Sequence, residues 1–324
     1  MEKFRNYVII GLVSILSIFL ISCSQKGETE TKKAETGTAQ GKKIKVGVSI
    51  ANFDDTFLTY MMDGMKKAAA ADGNVELEFV DAKEDIAKQM NQVENFVTQG
   101  KDVIIVVPVD TSAAEPMTNA AITNGVKIVY VNRNPGNLPD GAFYVGSEEK
   151  KAGILQMEYL AEKMGGKGNI VILLGKLDNE GTIKRTEGVE EIAKKYPDIK
   201  ILDKQTGLWQ RTDGLAKTEN WLNKYGDQIT AIVSNNDDMA LGAVQALKDA
   251  GKKNIMVVGV DATPDGLAAL EAGDITATVF QDADGQGGGA VDVAKKAVMG
   301  EKVEKETWVP FKLVTPENLK DFKK

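Results

Sequence analysis

The side chains of this 324-residue chain that could do chemistry are carboxylates, amides, guanidinium groups and a few aromatic rings, because histidine is absent and cysteine occurs once. Without imidazole, the usual serine triad, His-liganded zinc and the commonest general base are excluded. A single cysteine, Cys23, excludes an intrachain disulfide and a thiolate metal cluster. The polar candidates recur at one kind of place, just after a short apolar run. They are Asn52, Phe53, Asp54, Asp55, Thr56 and Phe57, then Asn132 and Arg133, then Asp178, Asn179, Glu180 and Arg185. Trp209 and Arg211, the group Asn235, Asn236 and Asp237, then Asp261, and Gln281 with Asp282 complete the series. This inventory suits a polyol. A hydroxyl both donates and accepts, so carboxylates and amides can engage adjacent hydroxyls, and Arg supplies a rigid fork of charge-assisted donors. Aromatic rings can cover the C–H faces of a sugar-like ring.

Each residue also has a plainer reading. Asp54 and Asp237 suit helix N-caps. Phe53, Phe57 and Trp209 suit a core. Arg185, among Lys184, Glu187 and Glu190, suits a solvated ion pair. The weight lies in the repetition at one edge of the fold.

The elements that must position these residues are set by the apolar pattern. Runs rich in Val and Ile occupy residues 44–50, 75–80, 103–107, 126–131, 170–174, 199–202, 229–233, 255–260 and 276–280, as strands buried on both faces do. Amphipathic stretches lie between them. Over residues 85–99, Ile86, Met90, Val93 and Val97 share one helical face before Gly100, and Met239, Ala243, Ala246 and Leu247 share another before Gly251. Sustained alternation of this kind predicts an α/β fold of parallel sheets with right-handed crossovers, and so many strands predict two sheets. Ligands of open parallel sheets bind at the carboxyl ends of the strands, where the candidates fall.

The N-terminus is of a different character. Lys3 and Arg5 precede an apolar run over residues 7–21 that ends Leu20-Ile21-Ser22-Cys23. This reads as a secretion signal over residues 1–23 with a bacterial lipobox, whose cysteine is the lipid attachment point. A buried free cysteine and a membrane-spanning anchor are the alternatives, and the run is shorter than the roughly 20 residues a span needs. Residues 24–43, rich in Lys, Glu, Thr and Gly, predict a disordered tether. A lipid-anchored, extracytoplasmic protein is the expectation, and the net charge of −7 argues against nucleic acid.

Several motifs together resemble the bacterial periplasmic sugar-binding proteins, in particular their D-galactose/D-glucose-binding branch. The carriers are Phe53-Asp54-Asp55-Thr56-Phe57, Val131-Asn132-Arg133-Asn134-Pro135, Tyr144-Val145-Gly146, Trp209, Asn235-Asn236-Asp237-Asp238-Met239-Ala240-Leu241-Gly242-Ala243 and Val258-Gly259-Val260-Asp261-Ala262-Thr263-Pro264. Val309-Pro310-Phe311 and Asn318-Leu319 also fit. The resemblance implies two similar doubly wound parallel-sheet lobes joined by a three-segment hinge, with crossings near Ser147, Gln281 and Trp308. The N-terminal lobe would hold residues 44–147 and 281–307, and the C-terminal lobe residues 148–280 and 308–324. It also implies roles: Asp55 and Asn132 on hydroxyls from one lobe, Arg185 and Asp261 from the other, Phe57 and Trp209 on opposite ring faces, and Asn236 as a further donor. Phe53, Arg133, Asn179 and Gln281 complete the expected ligand-binding set. The expected partners are a monosaccharide or cyclitol, the transmembrane subunits of an ATP-driven importer, and a chemoreceptor. The expected protein is monomeric, without cofactor or metal.

The chain departs from the galactose/glucose pattern in places. Asn179 stands at a His position, Gly181 at an Asp position, Ala51 at a Tyr position and Arg133 at a Lys position, and Gln281 stands where that branch has Asn and the ribose branch has Gln. The segment Met164-Gly165-Gly166-Lys167-Gly168 lacks the carboxylates of a calcium loop. The loop from Leu174 to Arg185 resembles relatives that bind inositol. Three rival readings fit less well. A glycosidase would need two acids flanking one bond, and neighbours such as Asp54 and Asp55 seldom face one substrate together. Gly285-Gln286-Gly287-Gly288-Gly289-Ala290 fits a dinucleotide fingerprint, but a lone match is weak and reads as a thinly packed helix start. A transcriptional regulator of this fold would carry a basic DNA-binding head, which is missing.

Overall fold

The computed structural model describes residues 43–323. The expected signal sequence, its lipid-attachment residue Cys23 and most of the expected tether therefore lie outside the described residues. In chain order the elements are β1 (Ile44–Ile50), α1 (Thr56–Asp72), β2 (Val75–Asp81), α2 (Ile86–Thr98), β3 (Val103–Val106), α3 (Ala114–Thr123), β4 (Lys127–Val131) and β5 (Ala142–Gly146). Next come α4 (Glu149–Lys163), β6 (Lys167–Leu174), α5 (Glu180–Ala193), β7 (Asp198–Thr206), α6 (Arg211–Tyr225), β8 (Ala231–Ser234), α7 (Asp237–Asp249) and β9 (Met256–Val258). The chain closes with α8 (Pro264–Glu271), β10 (Thr278–Phe280), α9 (Ala283–Met299), β11 (Glu306–Trp308) and β12 (Lys312–Val314).

Two parallel sheets result. The first has the order β11-β5-β4-β3-β1-β2, all neighbours parallel. The second runs β7-β6-β8-β9, also parallel, and single parallel bridges from Val258 to Ala277 and from Asp261 to Phe280 extend it toward β10. β12 then pairs antiparallel with β10. Each sheet has its first strand between its second and third, the doubly wound order whose reversal leaves a crevice at the strand ends. The chain passes between the sheets three times: after β5, between β10 and α9, and between β11 and β12.

The strands of the apolar runs form as expected, with the central β1, β3 and β4 buried almost throughout. Three details correct the sequence reading. In α2 the buried face is Gln89, Val93 and Phe96, while Ile86 is exposed. Gln89 is buried because its amide donates to Ser49 Oγ and the Val107 carbonyl, and its oxygen accepts from the Val109 N–H at 2.8 Å. The outer strands β2 and β7 are only partly buried, as sheet edges are. Finally, the glycines of α9 serve close packing: a Cβ at Gly287 would lie 2.2 Å from the Met61 carbonyl of α1. The same device brings α4 against α5, where a Cβ at Gly153 would lie 1.9 Å from the Arg185 carbonyl.

Candidate functional site

The N-terminal half of the site is built from the segments that leave the carboxyl ends of β1 and β4. Asp55 is the N-cap of α1, and its Oδ1 accepts from the Leu58 N–H at 3.0 Å. The same residue lines the cleft. Burial pushes the Asp55 carboxyl above its ordinary value, against the pull of the cap bond and Arg133. Phe57, in the first turn, is nearly buried. Asn132 comes directly after β4 with φ at 69°, left-handed backbone that turns its amide toward Gln286 Oε1 at 3.2 Å. Arg133 is buried and pinned by the carbonyls of Pro108 at 2.9 Å and Val109 at 3.3 Å.

The other half centres on Arg185 of α5. Its Nε donates to Glu149 Oε2 at 2.6 Å, one terminal nitrogen to the Asn235 carbonyl at 2.6 Å, and the other to Gln281 Oε1 at 2.8 Å. Asp261 Oδ1 lies 3.8 Å from the guanidinium. The group is buried and stands over the Trp209 and Phe311 rings, 5.6 and 5.8 Å from their centroids. The solvated ion pair is thereby excluded for Arg185. Asp261 has φ at 118°, a backbone that L side chains adopt only under strain. Burial drives its carboxyl well above the usual range, with Arg185 opposing and Asp237 adding to the rise. Trp209 also holds left-handed backbone, φ 68°, and its ring fills space that a Cβ at Gly175 would take, 2.1 Å away.

These groups line one cavity of about 410 Å³, part of it open to solvent: Asp55, Phe57, Leu58, Asn132, Arg133, Glu149, Asn179, Gly181, Arg185, Trp209, Asn236, Asp261 and Gln281. Ten of the eleven residues anticipated for ligand contact are on this wall. Phe53 is not. Its ring packs on the core of the first sheet, and its carbonyl accepts from Thr59 in the turn that starts α1. Glu149, Leu58 and Gly181 line the cavity and were missed. Two donors on the wall, Trp209 Nε1 and Gln281 Nε2, are buried without a partner among the described residues, as groups that bind a ligand would be. Asn236 is the N-cap of α7 and bonds the Trp209 carbonyl, so it links two wall elements.

Other candidates fall elsewhere. Asp237 is fully buried, accepting from the Thr263 N–H and Thr278 Oγ1, and burial raises its carboxyl to about 7. Arg211 pairs with Asp238 and Asp265, each at 2.8 Å, outside the cavity. The lobes also touch at the rim. Thr56 donates to Asp238 at 2.5 Å and Lys176 pairs with Glu84 at 2.7 Å, each contact joining the half that carries β1 to the half that carries β6. These contacts tie the two halves together beside the cleft.

A wall of two aromatic faces, carboxylates and fixed guanidinium groups suits a small molecule rich in hydroxyls. A family model described as the periplasmic binding protein domain matches residues 46–302. A putative rhizopine-binding protein of Rhizobium meliloti is 42% identical over 86% of this chain and 92% of its own length. A xylitol-binding protein of Mycolicibacterium smegmatis is 38% identical over 85% of this chain and 78% of its own. Among solved structures, an ABC transporter solute-binding protein of Bacillus halodurans with bound myo-inositol is 44% identical, with a TM-score of 0.83 over 88% of this chain and 99% of that one. These matches support the sugar-binding family of the expectation, and they are proteins named for polyols other than galactose or glucose. The chain belongs to the periplasmic binding protein family, and it is a solute-binding protein rather than an enzyme.

Proposed function

We propose that this protein is the extracytoplasmic receptor of an ATP-driven importer and that its ligand is a cyclitol of the inositol type. The observation that carries the reading is the wall itself, in which acceptors and donors surround the cavity between Phe57 and Trp209. A cyclitol offers a hydroxyl at every ring carbon and so meets such a wall on every side. The relatives named for rhizopine, xylitol and myo-inositol support the same ligand class. Cys23 and the polar segment after it support a lipid anchor, the membrane being touched in no other way. The liganded, closed protein presents both lobes to the transmembrane subunits, and its open form does not.

A second reading, a monosaccharide of the galactose/glucose type, rests on the motifs Asp55, Asn132, Arg185, Trp209 and Asp261, which serve a hexose equally well. A thermal-shift panel of the mature protein with myo-inositol, xylitol, galactose, glucose and ribose separates the two. A ligand at a hundred times its Kd adds about 2.7 kcal/mol of stability. Myo-inositol is expected to raise the Tm most. A shift with galactose or glucose and none with myo-inositol would establish the second reading.

A further inference from the structure

Glu149 opens α4, two positions after Ser147, in the charged run Glu148-Glu149-Lys150-Lys151. Glu148 and Lys151 are exposed, and Lys150 pairs with Glu191 at the surface. Glu149 turns inward and is 3% exposed. Its Oε2 accepts from Arg185 Nε at 2.6 Å. Arg185 engages only that one oxygen, and the side chain forms part of the cavity wall, so Oε1 is left for the cavity. At this corner the second residue of α5 has no side chain: a Cβ at Gly181 would lie 3.5 Å from Glu149 Oε2 and 3.6 Å from Asn179 Oδ1.

A purely structural ion pair does not account for this arrangement. An ionised carboxylate has about four acceptor sites, and one N–H satisfies one of them. Arg185 already has Asp261 nearby to balance its charge. Adding Glu149 gives the wall three carboxylates, with Asp55 and Asp261, against the guanidinium groups of Arg133 and Arg185. The cavity is partly open, so solvent can reach such an acid until a ligand displaces it, and the ligand must then supply the donor that the water gave.

We propose that Glu149 is a specificity-determining residue of the cleft, in which Oε2 orients Arg185 and Oε1 accepts a hydrogen bond from one ligand hydroxyl. The proposal rests on the polyol reading above and sharpens it. The corner beside Asn179 and Gly181 demands a donor. A ring carbon lacking its hydroxyl, an ether oxygen or a methyl ether leaves the carboxylate unpaired. A pyranose cannot present its ring oxygen here, whereas an inositol presents a hydroxyl at every corner.

The test is a ligand-by-variant cycle read by titration calorimetry. Wild type, Glu149→Ala and Glu149→Gln are each titrated with myo-inositol and with monodeoxy-inositols covering each ring position. For wild type, removal of the corner hydroxyl is expected to weaken binding by about a hundredfold. In Glu149→Ala that one penalty falls to within about threefold, while the penalties at the other positions persist. In Glu149→Gln, which keeps an acceptor for Arg185, myo-inositol binding weakens but the orientation of Arg185 is retained. A common weakening of every ligand in both variants, with no single penalty removed, would overturn the proposal and leave a structural role. If wild type binds no inositol, the ligand class is wrong; the same cycle on deoxy forms of the polyol that does bind then decides the role of Glu149.

Discussion

Arg185→Met tests the site where its physical argument is most exposed. In the folded chain the guanidinium is held by Glu149, the Asn235 carbonyl and Gln281, with Asp261 at 3.8 Å. The side chains of Glu149 and Asp261 are 2% and 6% exposed. Removing the cation strands two buried carboxylates, and breaking a buried pair costs about 3–5 kcal/mol of stability. Methionine preserves much of the volume, so little of that loss comes from packing. Binding loses its charge-assisted donors to ligand oxygens, about 1.5–3 kcal/mol, which raises Kd roughly 10- to 150-fold. Denaturant titration gives the stability and calorimetry the affinity. The double variant Glu149→Met with Arg185→Met should recover most of the stability, because apolar replacement of a whole pair is often neutral, yet it should not recover affinity. A single variant that loses less than about 1 kcal/mol, or a double variant no more stable than the single, would refute the claim that this is a dry, functional ion pair.

The geometry sets three further outcomes. Burial and the neighbouring Glu149 raise the Glu180 carboxyl from its ordinary 4.5 to about 7. Between those values the folded chain keeps a proton that the unfolded chain releases, so this group's contribution to stability falls as pH rises through the window and is flat above it. Glu180→Gln should therefore be less sensitive to pH than wild type over that window in denaturation midpoints, and superimposable profiles would contradict the assignment. Gly175→Ala places a Cβ 2.1 Å from the Trp209 ring, so it should displace the indole, weaken ligand binding at least about tenfold and change tryptophan fluorescence; unchanged affinity would mean that Trp209 does not cover the ligand. Lys176→Met removes the rim pair with Glu84, a partly exposed contact worth about 0.2–1 kcal/mol, and should raise Kd by no more than about fivefold in low salt and less in high salt. A salt-independent effect would point to packing instead of charge.

The α/β architecture was legible because Val- and Ile-rich runs end in polar residues, and the strand ends then gathered most of the site without any contact being known. Short or mixed elements were not legible in this way. β5 has only five residues, with a Phe and a Tyr beside Ala and Gly, and β11 and β12 have three each, too few for a periodic signal. The inward face of α2 was misjudged because Gln89 is buried by hydrogen bonds, which hydropathy does not register. Glu149 escaped notice for a related reason. A charged run at a helix start reads as a solvated face, and only the close crossing of α4 on α5 turns one of its members inward. Phe53 erred the other way, since a position next to site residues in sequence says little about which side of the turn a ring occupies.

The positive φ angles at Asn132, Trp209 and Asp261 have an evolutionary corollary. Strained backbone of this kind costs about 1–3 kcal/mol at each such residue, and glycine would relieve it. Selection for thermal stability alone, in the absence of ligand, should therefore erode Asp261 first, because its φ of 118° is the farthest from the left-handed region that Asn132 adopts readily. A library of this protein sorted only for heat resistance would drift toward glycine at Asp261, whereas Trp209, packed against the core of the second sheet, would persist. Asp261 retained under joint selection for heat resistance and binding would show that recognition, rather than folding, maintains its shape.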